Sequence, residues 1–515
     1  MNIVLYGPPG SGKTTVGEVL ARKLGREFVD VDAVIAARTG LSVPELFAQH
    51  GEAAFRRIES EVCAELGARD SLVIAPGGGA LLNADNRAAL ERNGVVFCLR
   101  AAPDVLLERL QREGNRPLLA GDDPAAKLHA LLGARRALYD SFPEQLDTSQ
   151  QKPSQVADEI AQRLQPRTLL VDTPGFRHEI VLGYGLLAQL PQLLAERNLN
   201  GAALVVTDEN VARATGGGRW MSVNGLASVV VPAGEQYKTL DTVRRLYDAF
   251  LQHGLDRQSV VIAFGGGVIG DLAGFAAATF MRGLRWVNVP TTLLAMVDAS
   301  VGGKTGVDLP QGKNLVGAFH PPALVVADPL VLRTLPREEF CAGMAEVIKH
   351  SLIGDPQLFE ALERGTTFGS LEQLERAIRV KVEVVQADPF EEGRRATLNL
   401  GHTIGHGVEA ASGFALRHGE AVAVGLWAEA WLAEEMDIAE RGLAERIGRV
   451  LAQHGLPTRA PGLDPHAIRA AMSADKKKAA GRLRFALPRA PGDVVWGIVV
   501  SEALLAEALR RIAGE

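Results

Sequence analysis

At 515 residues, a prior of about 150 residues per domain gives roughly three domains. Apolar residues at 47% and charged ones at 23% are ordinary for a soluble globular chain. A net charge of −6 provides no basic face for nucleic acid or an anionic membrane, and no apolar run approaches the roughly 18 residues of a membrane span.

The three cysteines, Cys63, Cys98 and Cys341, are far apart and form no CxxC, which argues for reduced thiols. The start, MNIVLYGPPG, has no basic n-region and too short an apolar run for a signal peptide. A cytoplasmic enzyme of small molecules is expected, with no nucleic-acid or membrane partner.

In chain order, Asn2–Tyr6 is a short apolar strand. Gly7-Pro8-Pro9-Gly10-Ser11-Gly12-Lys13-Thr14 follows and fits GxxxxGK followed by Ser or Thr. Thr15–Leu24 then has amphipathic helical spacing. Such a strand, loop and helix cradle phosphate oxygens with loop amides and a helix N-terminus. Gly10, Ser11, Gly12, Lys13, Thr14 and Thr15 are therefore the candidate ATP-binding residues. Lys13 reaches the β and γ phosphates, and the Thr14 hydroxyl ligates Mg2+. Asp30 and Asp32 stand at the next strand end. Arg56 and Arg57 open a helical stretch, and Leu72–Ala75 is a strand running into Gly77-Gly78-Gly79. Asn115-Arg116-Pro117-Leu118 suits a mobile lid, and Arg135 and Tyr139 share one helical face. Any one of these arginines alone is more often a solvated helix face. Behind a P-loop the set describes an acceptor site for an anion. A helix over Val156–Leu164 closes the module, and Gln165-Pro166-Arg167 is the seam, because proline ends helices.

The second module opens with a hairpin from Thr168–Val171 and His178–Gly183. Ala203–Thr207, Ser228–Val231 and Val260–Phe264 are buried strands separated by helical stretches over Tyr184–Arg197 and Leu240–His253, the pattern of a mostly parallel sheet. Ligands of such sheets sit beyond the strand C-termini. Asp208, Glu235, Lys238, Gly266, Gly267, Asp271, Thr291 and Thr292 fall at such ends; Asp208 is equally suited to cap the following helix. Gly265–Gly270 fits GxGxxG, but the acid about 20 residues on is missing from Trp286–Pro290, so this is no standard first dinucleotide unit. Asp271, Arg282, Asp298, Lys304, Asp308, Lys313 and Asn314 interrupt an otherwise glycine- and alanine-rich stretch. Charges in such a setting need partners or a ligand, and describe a pocket for a polar anion.

Beyond Pro322 helical periodicity dominates. His402 and His406 are spaced i, i+4 on one face, and His418 follows 16 residues after His402. Thr403 stands where a zinc protease needs glutamate. Glu346 opens Glu346-Val347-Ile348-Lys349-His350. Two imidazoles and a carboxylate with positions left open suit a catalytic Zn2+.

The stretches GGGVIGDLAGF, VPTTLLAMVDASVGGKTGVD, GKNLVGAFHPP, AGMAEVIKH, LNLGHTIGH and ADKKKAAGRLRFALP closely resemble the 3-dehydroquinate synthases, over roughly residues 170–515. The first module resembles shikimate kinase throughout. The implied fold is α/β: a P-loop kinase with a parallel sheet (1–164), a linker (165–167), a Rossmann-like NAD-binding domain (168–320) and a mostly helical metal domain (321–515).

The kinase resemblance implies that Asp32 orients the acceptor hydroxyl and that Arg56, Arg135 and Gly78 line the shikimate pocket. Arg116 would offset charge on the transferring phosphoryl group, and Asp30 would assist Mg2+. Gln150 and Gln151 replace the family's arginine-containing adenine loop, leaving adenine contacts open. The synthase resemblance implies an NAD site with Asp208 and Glu235 on the ribose. It makes Glu346, His402 and His418 ligands of Zn2+ or Co2+, with His406 moving or orienting a proton. Arg282, Lys304, Lys349 and Arg395 would hold the substrate's anionic groups. Asp298, Asn314, Lys381, Lys476 and Lys477 would bind the substrate as well, Asn399 would join the catalytic residues, and Lys304 and Lys313 would also contact the cofactor. The implied reaction oxidises C5 of 3-deoxy-D-arabino-heptulosonate 7-phosphate, expels phosphate, reduces the ketone again and closes the carbocycle by an aldol step. NAD is recycled, and a homodimer through this half is implied. Another sugar-phosphate cyclase, a polyol dehydrogenase or a nucleotide-gated scaffold are the competing readings. The lysine-rich pocket argues against the first, and the retained Lys13, Asp32, Arg116, Glu346, His402 and His418 against the last.

Overall fold

In a computed structural model the described residues are 1–113, 123–216, 225–391, 393–476 and 483–514, with only the backbone described for 473–476. The chain divides into two compact units, Met1–Gln165 with Thr366–Leu371, and Pro166–Gly365 with Glu372–Glu515. Arg116, the lid expected over 115–118 and Lys477 lie outside the described residues. Lys476 ends the helix Pro465–Lys476, its side chain likewise outside.

The first unit is built on five parallel strands: β1 (Asn2–Tyr6), β2 (Glu27–Asp30), β3 (Leu72–Ala75), β4 (Gly94–Arg100) and β5 (Glu144–Asp147), in the order β2-β3-β1-β4-β5. Every residue of β1 and β3 is buried. Helices cover both faces of such a sheet, so its inner strands read as unbroken apolar runs. β1 is central and feeds the helix Lys13–Leu24 through the glycine-rich loop. Gly10 and Gly12 take φ of 79° and 91°, left-handed values that glycine adopts without strain. The helical stretch Val43–Ala68 starts with a capping box between Ser42 and Glu45 and bends at Gly51 before carrying Arg56 and Glu59 to the strand ends.

The second unit contains β6 (Arg167–Thr173), β7 (Phe176–Leu182), β8 (Ala203–Asp208), β9 (Ala227–Val231), β10 (Val260–Gly265), β11 (Arg285–Pro290), β12 (Lys304–Leu309), β13 (Gly312–Phe319) and β14 (Leu324–Ala327). Seven of these make one sheet, β6-β7-β14-β11-β10-β8-β9, parallel except for the β6/β7 hairpin. The side-chain period of two splits β10 between two cores. Val261 and Ala263 pack under the helices on one face; Val260, Ile262 and Phe264 pack on the other. β12 and β13 form a separate antiparallel pair within the stretch read from sequence only as a pocket.

The boundary expected at 320/321 requires correction. β14 lies beyond it and pairs with β7 and β11 inside the sheet, so the sheet ends at Ala327. The four residues of β14 are too short a run to stand out by periodicity. From Arg337 onward helices dominate among the described residues, with a hairpin at Phe485–Ala490 and Asp493–Ile498.

Candidate functional site

In the first unit Lys13 Nζ donates to the carbonyls of Gly7 and Pro8, each at 3.0 Å. Thr14 Oγ1 donates to Asp30 Oδ2 at 3.2 Å, so the two residues expected at Mg2+ meet. The other Asp30 oxygen caps the helix Val31–Thr39 through the amides of Asp32 and Ala33. Four expected acceptor-site residues gather around the glycine turn after β3. A methyl placed on Gly77 would fall 2.9 Å from Asp32 Oδ1, and one on Gly79 3.1 Å from Arg56. Arg135 donates to the Gly78 carbonyl at 2.6 Å, and Tyr6 Oη to the same oxygen at 3.2 Å.

Two residues that sequence reasoning missed hold this arrangement. Glu59 is buried against Arg56 at 2.8 Å; burial raises its carboxyl pKa although Arg56 opposes the shift. Arg109 ties the P-loop to the end of β5, donating to Gly10 O at 3.3 Å and Thr148 O at 2.6 Å. An arginine in the helix Pro103–Glu113, six residues before the stretch 115–118, was the available signal.

In the second unit the C-terminal edge of the sheet gathers most of the residues expected at a nucleotide. Phe264 stands beside Thr207, and Gly265 beside Pro290. Gly266 caps the helix Gly267–Thr279 at this edge. The Thr291 amide donates to Gly265 O at 2.9 Å, while its buried hydroxyl has no hydrogen-bond partner among the described residues. Thr292 Oγ1 accepts from the Ala295 amide. Asp208 Oδ1 caps the helix Glu209–Ala214 through Asn210 and Val211, the simpler of its two readings. Lys238 is almost fully buried and reaches Asp271 at 2.6 Å, Asn314 Oδ1 at 2.5 Å and Glu235 at 3.9 Å. Burial raises the carboxyl pKa of both Asp271 and Glu235, with Lys238 opposing.

Glu346, His402 and His418 come from three different helices, Arg337–Gly354, His402–Ala411 and His418–Glu435. They meet because small residues sit at the crossings. A Cβ on Gly425 would fall 1.9 Å from the Gly401 carbonyl, and one on Gly419 2.1 Å from the Ala342 carbonyl. Only glycine permits backbones that close. Glu346 Oε1 lies 3.5 Å from His402 Nε2 and 3.7 Å from His418 Nε2, and one ligand atom of each lies within 4.8 Å of the others.

The donor chemistry fits a divalent ion. His402 Nδ1–H donates to the Leu400 carbonyl at 3.1 Å, which leaves a lone pair on Nε2. His418 Nδ1 lies 3.2 Å from Glu409, leaving its Nε2 to face the same point. Glu346 is wholly buried, ion-paired with Lys349, yet neither of its oxygens accepts a well-formed hydrogen bond among the described residues. Burial lowers the His402 pKa to about 3, with Lys349 adding to it. Burial also acts on His418, but the carboxylates of Glu346 and Glu409 outweigh it and raise the pKa to about 9. That field favours a cation at His418 Nε2, and a divalent ion would satisfy it.

A second three-donor group is Asp298, Glu346 and His350. Lys381 Nζ lies 2.7 Å from Asp298 Oδ1 and Lys349 Nζ 3.7 Å, so two ammonium ions crowd it and oppose a second divalent cation. Burial acts to raise the Asp298 pKa, but Lys381 and Lys349 hold its carboxyl well below the usual range.

The remaining expected residues divide. Lys304 and Arg395 share Glu391, and Lys313 pairs with Glu409 at 2.7 Å. His406 stacks edge-on against His402 with ring centroids 5.2 Å apart. Asn399 is exposed in the short helix Arg394–Asn399. Arg282 is not brought to this site within the chain. It is exposed just past the C-terminus of the helix whose N-terminus is Gly267, about 20 Å of helix away. Met281 and Arg282 take left-handed φ of 50° and 69° there. Glu391, Glu409, His350 and Glu429 were not anticipated. Glu429 is fully buried and accepts from the amides of Gly401 and Ile404, fixing the N-terminus of the helix that bears His402. Acids inside Ala- and Gly-rich helices were the signal.

A P-loop on a parallel sheet, and a Glu/His/His set beside a nucleotide-type sheet edge, define two small-molecule enzymes on one chain. Residues 228–342 match the 3-dehydroquinate synthase N-terminal family, residues 343–478 its C-terminal family, and residues 9–165 shikimate kinase. A 3-dehydroquinate synthase of Symbiobacterium thermophilum is 49% identical over 353 residues, 65% of this chain and 98% of that relative. The 2-epi-5-epi-valiolone synthase of Streptomyces hygroscopicus, solved with NAD+ and Zn2+, is 31% identical at a TM-score of 0.60, covering 65% of this chain and 97% of that one. A 2-deoxy-scyllo-inosose synthase solved with carbaglucose-6-phosphate, NAD+ and Co2+ is 27% identical at a TM-score of 0.60, covering 67% and 100%. The chain belongs to the 3-dehydroquinate synthase family and carries a shikimate kinase region ahead of it. It is a bifunctional shikimate-pathway enzyme, a kinase and a lyase. None of the described helices is long and apolar enough to cross a membrane.

Proposed function

We propose that the two reactions are distributed over the residues as follows. In the kinase domain, taken as 1–164, Gly10, Ser11, Gly12, Lys13, Thr14 and Thr15 hold MgATP, with Asp30 assisting the metal. Asp32 orients the 3-hydroxyl of shikimate, and Arg56, Arg135 and Gly78 receive its carboxylate end. Arg116 offsets phosphoryl charge. Positioning and charge stabilisation are what phosphoryl transfer demands of a protein.

In the synthase half, Glu235, Lys238, Asp271, Gly266, Gly267, Thr291 and Thr292 receive NAD. Asp208 stays a candidate for the ribose through its second oxygen. Glu346, His402 and His418 hold Zn2+ or Co2+. The heptulosonate phosphate is held by Lys304, Lys349, Lys381, Arg395, Asn399 and Asn314, with Lys476 and Lys477 as further substrate ligands, and Lys304 and Lys313 also contact NAD. Asp298 accepts a substrate hydroxyl, with its carboxylate kept ionised by Lys349 and Lys381. His406 moves a proton at the phosphate-leaving step. The chemistry supplied by the bound groups is Lewis-acid polarisation of the C5 oxygen and a returnable hydride. We also propose a cytoplasmic homodimer through this half. The three cysteines are unpaired, and β13 leaves Leu315 and Phe319 exposed as apolar surface for a second copy to cover.

The observation that carries this reading is the convergence of Glu346, His402 and His418 on one point. Its test is to strip divalent metal from the purified chain and assay both reactions with Mg2+ alone. Cyclisation, read as phosphate release with catalytic NAD+, should vanish while shikimate phosphorylation continues. Full-rate cyclisation without transition metal would refute it.

A further inference from the structure

His418 is held from behind. Its Nδ1 lies 3.2 Å from Glu409 Oε2, and Glu409 Oε1 accepts from Lys313 Nζ at 2.7 Å. Glu409 is 8% exposed, so this carboxylate is not a solvated surface acid. It lies seven residues after His402 on the helix His402–Ala411, two turns along the same face. The helix that supplies one imidazole therefore also supplies the acid that orients the other. Lys313 comes from β13, a different element, and its ammonium also stands 4.5 Å from the Phe414 ring centre. Asn314, next to it, accepts from Lys238, which pairs with Asp271 at the sheet edge.

The plainer account is that Glu409 is only a counter-ion that pins the β12/β13 hairpin to the helix. On that account His418 would need no particular tautomer. A carboxylate on Nδ1 does more than pin. It fixes the ring plane, selects the tautomer whose Nε2 carries the lone pair, and raises the basicity of that nitrogen. Lys313 then fixes the carboxylate itself.

We propose that Glu409 is a positioning residue for the metal site, acting through His418, and that Lys313 is its anchor. The proposal rests on the metal assignment above. Neither residue belongs to the three-donor set itself.

The test is Zn2+ affinity of the full-length chain, by competition with a chromophoric chelator, together with the visible spectrum of the Co2+-loaded protein and thermal unfolding. Glu409→Gln keeps size and shape. It should weaken Zn2+ binding about 10- to 100-fold and shift the Co2+ bands. Lys313→Met should weaken it less, by about 2- to 30-fold. Unchanged affinity and an unchanged Co2+ spectrum in a folded Glu409→Gln variant would overturn the proposal. If Glu409→Gln does not fold, Lys313→Met decides: wild-type affinity in that variant overturns it equally. His402→Ala separates the two readings. A wild-type chain whose Zn2+ binding is no tighter than that of His402→Ala has no metal site here at all, and the assignment fails before this inference does.

Discussion

The two units answer one problem, gripping anionic substrates, with opposite means. In the first, a contiguous loop presents backbone amides and one lysine, and the acceptor site is completed around the glycine turn after the neighbouring strand β3. In the second, the donors come from three separate helices, with Glu346 more than fifty residues before the two histidines, and the imidazoles are aimed by further groups behind them. A backbone site is written in one stretch and tolerates changes around it. A side-chain site depends on its buried surroundings, so its chemistry and its stability are coupled.

That coupling sets the largest expected effect. Lys349 is 1% exposed between Glu346 and Asp298, and burial alone would lower its pKa; the two carboxylates instead raise it. Lys349→Met leaves the wholly buried Glu346 and the half-buried Asp298 without that cation. Breaking a buried pair in this way costs about 3–5 kcal/mol. The second unit should unfold at markedly lower temperature, measured calorimetrically, while the transition of the first unit stays put. A synthase half that keeps its unfolding temperature would mean the cluster is solvated and the contrast between the units is false.

Lys13→Ala makes the opposite kind of lesion. Its ammonium donates to the carbonyls of Gly7 and Pro8, and losing those two loop contacts should leave the fold intact. Shikimate phosphorylation should fall by about 100- to 1000-fold, the scale of losing one preorganised charge donor. Cyclisation in the same preparation should be unchanged, and matched losses in both assays would reveal a link between the units.

The same contrast explains what the sequence discloses. The P-loop, its strand and its helix are adjacent, so their spacing alone defines a site. The β6/β7 hairpin and the run Val260–Phe264 were likewise readable from local pattern. Glu346, His402 and His418 were legible as residue types at helical spacing, and a family resemblance was needed to join them. Glu59, Glu409 and Glu429 were not legible, because each acts on a partner brought to it by tertiary packing. β14 was missed because four residues carry too little period to be told from a loop. Arg282 shows the converse: it lies inside the matching motif, yet within this chain a helix length separates it from the sheet edge.

A third prediction uses acid. His178, on β7 in the second unit, is buried and neither ring nitrogen has a hydrogen-bond partner among the described residues. Burial lowers its pKa to about 4. The unfolded chain takes up a proton below about 6.5, whereas the folded chain does so only near 4, so stability falls as pH drops through that window. Each pH unit removes up to about 1.4 kcal/mol, and the whole window about 3 kcal/mol. Denaturant titrations of wild type and His178→Phe at pH 7 and pH 4.5 should show a smaller acid loss in the variant. Parallel losses would place the acid sensitivity elsewhere.

The smallest change tests how the side-chain site is assembled. A methyl on Gly425 would sit 1.9 Å from the Gly401 carbonyl, so Gly425→Ala must move the helix His418–Glu435 away from the helix His402–Ala411. Overpacking of this kind costs about 1–3 kcal/mol. The instructive part is the accompanying loss of metal affinity, since the same crossing sets the distance between His402 and His418. Gly40, in the first unit, has open space around its Cβ position but a left-handed φ of 71°, so Gly40→Ala bears only backbone strain. It should cost about 1–2 kcal/mol and leave Lys13, Thr14 and ATP binding untouched. If Gly425→Ala binds Zn2+ as tightly as wild type, the close crossing is not what aims the imidazoles, and Glu409 and Glu429 must hold them by themselves.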